Sequence, residues 1–192
     1  MKRNDTIRVW DPLVRIFHWS LVAVFFTAYL TEGEPEWLHT WAGYIALMLL
    51  GVRILWGFIG TRHARFSDFV YAPSTTLRYL VDELVGRARR YLGHNPAGGL
   101  MALALILLVV ATGLSGMVLY AADEGAGPLA GLIPVTEAWE EGAEEVHEVL
   151  ANLTLGMIGL HVVGVIFSSL RHRENLVASM LHGFKRLGDE RH

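Results

Sequence analysis

Apolar residues concentrate in four long stretches, and the segments between them hold almost all of the charged residues. Each stretch has the length that a helix needs to cross the hydrocarbon core of a bilayer, about 20 residues. The strands of a membrane barrel would alternate polar and apolar residues, which these stretches do not. The pattern predicts an all-α, integral membrane four-helix bundle, with residues 1–192 forming a single membrane domain. The predicted spans are residues 14–31, 37–59, 97–122 and 146–170.

The distribution of charge supports four crossings. All 16 Lys and Arg residues lie before or at the start of span one, at the end of span two, between spans two and three, or after span four. The two remaining connections and the adjoining span ends carry eleven acids and no base. Because cytoplasmic segments of membrane proteins are enriched in Lys and Arg, we expect both termini to be cytoplasmic.

Two connecting segments predict surface helices. Residues 74–92, on the basic side, form an amphipathic pattern typical of a helix at the membrane interface, with Ser74 or Thr75 as its cap. Residues 134–145, on the acidic side, predict a second surface helix that is separate from span four.

Composition narrows the candidate chemistry. The chain is 53% hydrophobic and 18% charged, and it has no cysteine and nine histidines. Without cysteine there are no disulfides, no cysteine-ligated iron–sulfur clusters and no covalently attached haem. Histidine is therefore the obvious ligand for any metal or haem.

Four histidines fall inside the predicted spans, where a ligating or ionisable residue indicates function. His18 and His161 lie at the cytoplasmic depth, whereas His39 and His147 lie at the outer depth. His147 and His161 are separated by about 21 Å along one helix and lie within about 40° of the same face. This arrangement suits two bis-histidine sites, one near each membrane surface, as two stacked b-type haems require.

Other interpretations of these histidines stay open at this point. A single histidine in a membrane span can form a hydrogen bond between helices or relay protons. A zinc site is disfavoured, because zinc prefers about four ligands in one place. The other histidines lie in loops or the tail, and we expect most of them to be solvated: His63, His94, His172, His182 and His192.

Arginines and glycines near the histidines add to this prediction. Arg15 and Arg53 lie at the depth of His18 and His161, and Arg53 interrupts an apolar run. Either side chain could neutralise a haem propionate, although snorkelling to the membrane surface explains such an arginine nearly as well. Several glycines allow either a flat macrocycle or another helix to approach: Gly43, Gly113, Gly116, Gly156 and Gly159.

Short motifs in and around all four spans are together typical of one family, and they cover nearly the whole chain. The motifs are Val9-Trp10-Asp11, Arg15-Ile16-Phe17-His18-Trp19, Leu38-His39-Thr40-Trp41-Ala42-Gly43-Tyr44, Arg53-Ile54-Leu55-Trp56, Gly93-His94-Asn95-Pro96-Ala97-Gly98-Gly99, His147-Glu148-Val149-Leu150-Ala151-Asn152 and Gly159-Leu160-His161.

In these motifs the chain resembles the bacterial cytochrome b561 family, which includes the membrane cytochrome b subunits of nickel–iron hydrogenases. The resemblance implies two non-covalent haem b groups, with His18, His39, His147 and His161 as axial ligands of the irons. It also implies exchange of electrons with the quinone pool of a bacterial inner membrane. Oxidation of superoxide with reduction of quinone, a second activity of the family, is implied as an alternative.

The favoured function is therefore electron transfer across the membrane, between a periplasmic redox partner and quinone. The acidic outer face predicts a basic partner, such as a cytochrome c or a dehydrogenase subunit. We expect contacts with lipid and none with nucleic acid, and the sequence leaves a homodimer open. The alternatives are a superoxide:quinone oxidoreductase, which would make the protein an enzyme, and a haem-free transporter or anchor subunit.

Overall fold

The structure, a computed structural model, describes residues 6–187. Four of its helices, α1, α2, α5 and α6, are long and apolar enough to cross a membrane, which confirms the predicted all-α fold with four spans. The side of the membrane on which the termini lie, and the single domain, stay predictions. In chain order the helices are α1 (Pro12–Leu30), α2 (Glu36–Ile59), α3 (Phe66–Phe69), α4 (Pro73–Leu84), α5 (Pro96–Asp123), α6 (Glu137–His172) and α7 (Leu176–His182). Lys2, Arg3, Arg191 and His192 lie outside the described residues.

The two predicted surface helices need correction. The segment 134–145 does not form a helix of its own, because α6 runs without interruption from Glu137 to His172. No proline follows Pro134 in this segment, and its glutamates and alanines favour continued helix. The amphipathic helix α4 begins at Pro73, with Ala72 at the cap position and no side-chain cap, and it ends at Leu84. Proline suits the first helical position because its missing N–H would have no helical partner there.

Residue contacts divide the chain into two compact units. The first unit contains the residues up to Trp19, Arg53–Ala102, and the chain from His161 onward; the second contains Ser20–Val52 and Leu103–Leu160. The first unit therefore holds the start of α1, the end of α2, the start of α5 and the end of α6. If the four spans cross the membrane in alternating directions, these four helix ends lie on the same side of the membrane.

The first unit joins the two ends of the chain. Strand β1 (Thr6–Arg8) pairs antiparallel with strand β2 (Phe184–Arg186), and Ile7 lies opposite Lys185. Next to the strands is a small apolar core that Val9, Trp10, Val14 and Ala64 form. Sequence analysis predicted no strands, since three-residue strands are too short to produce a periodic pattern.

Asp11 organises the start of α1 in this unit. Its Oδ1 accepts a hydrogen bond from the backbone N–H of Val14 at 3.0 Å, and its Oδ2 accepts from the indole N–H of Trp56 at 3.1 Å and from the Thr61 hydroxyl. Burial acts to raise the pKa of Asp11, but the hydrogen bonds from Thr61, Val14 and Trp56 outweigh it and hold the pKa below its ordinary value. One carboxylate thus caps α1 and ties it to the end of α2.

Replacing Asp11 with alanine should destabilise the fold. The change removes the cap and leaves the Trp56 and Thr61 donors unpaired, so we expect the free energy of unfolding to fall by about 1–3 kcal/mol. Because the folded pKa lies below the ordinary 3.8, this stabilisation is present above that pH and is lost as pH falls through the folded pKa. Thermal unfolding in detergent, at neutral and at acidic pH, measures both effects.

Asp82→Asn is the matched control, since the Asp82 carboxylate takes part in none of the hydrogen bonds that hold Asp11. Equal unfolding temperatures for D11A and the unmodified protein at neutral pH would contradict the proposed role of the cap.

Candidate functional site

The second unit places His39 of α2 beside His147 of α6. Their ring centres are 5.9 Å apart and the ring planes are inclined by 83°. Both side chains are partly buried. The unit therefore brings together the two histidines that the sequence places at the outer depth.

Backbone carbonyls orient both rings of the His39–His147 pair. His39 Nδ1 lies 2.8 Å from the carbonyl oxygen of Ala28, and His147 Nδ1 lies 3.0 Å from that of Thr112. Because a carbonyl oxygen only accepts hydrogen bonds, each Nδ1 carries the proton and each Nε2 keeps its lone pair. This is the tautomer that a metal-binding histidine needs: one ring nitrogen donates its proton to a hydrogen-bond acceptor, and the other is free to bind the metal.

A hydroxyl network on α5 supports His147. The Ser115 hydroxyl lies 3.0 Å from His147 Nδ1 and donates to the Thr112 carbonyl at 2.8 Å. The Thr112 hydroxyl in turn lies 3.1 Å from the hydroxyl of Thr154, a fully buried residue one heptad from His147 on α6. Sequence analysis missed these residues. The sequence did carry a signal for them, because Thr112 and Ser115 are the only Ser or Thr residues in the apolar helix α5.

The first unit places His18 of α1 beside His161 of α6. The ring centres are 6.5 Å apart and the planes are inclined by 53°. His18 Nδ1 is buried and has no hydrogen-bond partner among the described residues, and the Trp19 ring meets the His18 ring edge-on at 5.1 Å. This pair therefore lacks the fixed acceptor that the His39–His147 pair has.

The two arginines of interest differ in their surroundings. Arg53 is 4% exposed, and its guanidinium carbon lies 5.4 Å and 5.8 Å from the ring centres of Phe66 and Phe69. Its Nη1 is buried and has no hydrogen-bond partner among the described residues. Arg15 instead donates through Nη1 to the carbonyl of Leu181. Arg53 is thus the better candidate for pairing with a buried anion, since an unpaired buried charge is costly.

Three histidines that we expected to be solvated have defined environments instead. His94 packs between Trp10 and Phe69, with ring centres 4.8 Å and 4.6 Å away. Burial, together with the nearby charge of Arg53, lowers the pKa of His94 to about 3, so the ring is neutral. His63 Nδ1 lies 2.8 Å from Asp68, and His172 Nε2 lies 3.5 Å from Glu83. The contacts of His94 and His172 join segments distant in sequence, which explains why the sequence did not reveal them, whereas His63 and Asp68 are only five residues apart. His182 is exposed, as expected.

The glycines fall into two groups. A Cβ added to Gly113 would lie 2.7 Å from Leu47, and one added to Gly116 would lie 2.9 Å from the His147 ring, so both permit close packing of α5. A Cβ at Gly43, Gly156 or Gly159 would meet no atom within 4 Å. The second group therefore has room for a flat group beside the helix.

Comparison with known proteins identifies the family. The family model of prokaryotic cytochrome b561 matches residues 9–183. The chain belongs to the prokaryotic cytochrome b561 family. It is therefore a membrane b-type cytochrome that transfers electrons, with haem b as cofactor, and the alternative of a haem-free transporter or anchor subunit is wrong.

Curated relatives of the cytochrome align over most of both chains. Three of them, each named a probable Ni/Fe-hydrogenase B-type cytochrome subunit, are from Rhodobacter capsulatus, Rhizobium leguminosarum bv. viciae and Escherichia coli K12, the last named for hydrogenase 1. They are 25%, 24% and 25% identical, covering 100%, 94% and 92% of this chain and 86%, 89% and 89% of their own. No solved structure matches the chain.

The histidine pairs fit haem b. A histidine nitrogen binds a transition metal at about 2 Å, so two axial imidazoles on one iron have ring centres about 6 Å apart. The centres here are 5.9 Å and 6.5 Å apart. Among residues 6–187, no three His, Cys, Asp or Glu side chains form a metal-binding group. Two protein ligands at each histidine pair suit haem iron, because the macrocycle supplies the other ligands.

Gly116→Ala tests the contact between α5 and His147. The added methyl group would lie 2.9 Å from His147 Cε1, so the ring must move. If His147 binds haem, displacing it should lower the affinity of that site by about 10-fold or more. Haem content per chain, measured by pyridine haemochrome after purification, reports this loss.

Gly113→Ala is the matched control one turn earlier on α5. Its added methyl group would meet the flexible end of Leu47 rather than a histidine. Full haem content in G116A, or equal loss in both variants, would argue that the contact has no specific role.

Proposed function

We propose that the cytochrome holds two haem b groups and carries electrons between a partner on the outer side and quinone in the membrane. The observation that carries this proposal is the presence of two histidine pairs, each in its own unit and each with ring centres about as far apart as two ligands of one iron. His18 and His161 bind one iron, and His39 and His147 bind the other. Bound haem b supplies an iron that accepts and releases one electron at a time.

The residues around each pair tune the site differently. The Ala28 and Thr112 carbonyls accept the Nδ1 protons of His39 and His147, which makes both rings stronger electron donors through Nε2. His18 has no such acceptor among the described residues. Stronger donation would lower the reduction potential of a haem held by His39 and His147, relative to one held by His18 and His161.

Arg53 neutralises a haem propionate. Its Nη1 is buried without a hydrogen-bond partner among the described residues and the residue is only 4% exposed, which supports pairing with an anion. Arg15 has a smaller role, because one of its amino groups already pairs with Leu181.

The cytochrome spans the cytoplasmic membrane of a bacterium with both termini inside. The strand pair β1–β2 holds the segments at the two ends of the chain together, which supports an even number of crossings. The basic residues in these segments favour the cytoplasmic side.

The outer partner is a Ni/Fe-hydrogenase or another dehydrogenase with a basic docking surface. The names of the relatives suggest the hydrogenase. The start of α6, next to His147, carries five exposed glutamates: Glu137, Glu141, Glu144, Glu145 and Glu148. This charge would attract a basic protein and would repel the superoxide anion, which favours the protein partner over the superoxide alternative.

Alanine variants of the four histidines test the core of the proposal. We expect two haems per chain in the unmodified protein and loss of one haem in each variant, because a single remaining ligand binds haem weakly. Difference spectra should place H18A and H161A in one class and H39A and H147A in another. His182→Ala, which changes an exposed histidine of α7, is the control. Four variants that keep all of their haem would refute the assignment.

Salt dependence tests the acidic docking face. Raising ionic strength shortens the range of electrostatic attraction, from about 30 Å at 0.01 M to about 8 Å at 0.15 M. The rate of haem reduction by a basic cytochrome c or by purified hydrogenase should therefore fall steeply with salt in stopped-flow measurements. The variant E141Q/E144Q/E145Q should lose most of this dependence, and Asp82→Asn should retain it. A salt-independent rate would contradict the docking face.

Quinone is tested separately with decylubiquinone, which should reoxidise the reduced haem. If superoxide reduces the haem faster than any protein donor, the superoxide:quinone alternative replaces the protein partner.

A further inference from the structure

One face of helix α4 buries polar side chains against the protein. Thr76, Tyr79 and Glu83 are only 6%, 6% and 8% exposed. At about 100° per residue they occupy one face of the helix. The Glu83 carboxylate on this face lies 3.5 Å from His172 Nε2 at the end of α6. This polar face therefore fixes how α4 is rotated about its own axis.

The apolar residues of α4 point away from the protein. Leu77, Val81 and Leu84 are 65%, 53% and 80% exposed, and Leu80 is 43% exposed. On a helical wheel they form a second face, about 120° from the buried one. Removing such apolar side chains from water is favourable, so water is an unfavourable neighbour for this face.

A third face of α4 is polar and exposed. It contains Ser74, Thr75 and Arg78, all of which are exposed, and the partly exposed Asp82. A helix that shows protein, apolar and polar faces in three directions suits the boundary between lipid and water. Acyl chains would cover the second face and water the third.

The neighbouring elements hold α4 at the ends of the membrane spans. Residues 60–72 connect it to the end of α2, residues 85–95 connect it to the start of α5, and Glu83 joins it to the end of α6. All of these segments belong to the first unit. α4 is therefore linked to the ends of three spans, and lipid is the environment next to a span end.

Basic residues lie on and just after α4. Arg78, Arg87 and Arg89 are exposed, whereas Arg90 forms an ion pair with Glu174. Free arginines beside an apolar face attract anionic headgroups, each contributing an affinity factor of about 5. Charge and apolarity together indicate a lipid surface rather than a protein partner.

We propose that α4 lies in the membrane interface, with Leu77, Leu80, Val81 and Leu84 inserted into the lipid. Arg78, Arg87 and Arg89 bind anionic phospholipid headgroups. This binding surface does not depend on the number of haems or on quinone.

Site-directed spin labelling of the haem-loaded cytochrome in liposomes tests the insertion. The chain has no cysteine, so single cysteines can be introduced without a background. Labels at Leu77→Cys and Leu84→Cys should collide more with oxygen, which partitions into lipid, than with a water-soluble nickel chelate. Thr75→Cys, on the polar face of the same helix, is the matched control and should show the opposite preference.

Three outcomes would overturn the insertion. One is nickel accessibility at Leu77 and Leu84 equal to that at Thr75. Another is a label that is immobilised regardless of the lipid, as in contact with a partner protein. The third is a label whose mobility changes with the protein-to-lipid ratio, as in contact with a second copy.

Retention of lipid tests the headgroup site. In vesicles of phosphatidylglycerol and phosphatidylcholine, the unmodified cytochrome should retain phosphatidylglycerol selectively after detergent extraction, as native mass spectrometry measures. Arg87→Gln with Arg89→Gln should reduce that selectivity by about 10-fold or more, and the corresponding pair of lysine changes should preserve most of it. Equal retention of both lipids by the unmodified protein would refute the headgroup site.

Discussion

A histidine inside a membrane span must find partners for both of its ring nitrogens, because lipid offers none. At His39 and His147 the Nδ1 proton goes to a backbone carbonyl, that of Ala28 or Thr112. Each of these hydrogen bonds fixes the tautomer and directs the other nitrogen to the opposite side of the ring. In each ring one nitrogen is thus held by a backbone carbonyl, and the other keeps the lone pair that binding a metal would need.

The two histidine pairs differ in the partners that their ring nitrogens find. His39 and His147 are held by carbonyls and by the hydroxyls of α5, whereas His18 has a buried Nδ1 without a partner among the described residues. The two histidine pairs therefore have different surroundings although the residue type is the same. The difference arises from neighbouring backbone rather than from the ligands themselves.

The first unit shows how charge is accommodated at the helix ends. Asp11 is satisfied by three donors, and Lys185 and Arg90 both pair with Glu174. Other polar atoms of this unit are buried without a hydrogen-bond partner among the described residues, including Arg53 Nη1 and Arg15 Nε. Such a buried cationic group is costly unless an anion lies nearby.

Much of the fold followed from the sequence alone. Long apolar runs can only be helices in lipid, so hydropathy and the distribution of the arginines and lysines predicted the four spans. Spacing along one helix determined that His147 and His161 share a face, because helical geometry is nearly constant. The family resemblance, carried by local motifs, was also visible and was confirmed.

Only the tertiary structure decided which groups surround those histidines. A carbonyl acceptor such as that of Ala28 has no residue-type signature, since every residue carries one. The burial of His94 between Trp10 and Phe69, and the outward apolar face of α4, depend on contacts between segments distant in sequence. The sequence by itself determined the number of spans and that His147 and His161 share one face of their helix. The rotation of each helix against its neighbours decided what those faces meet, because packing between helices depends on many side chains at once.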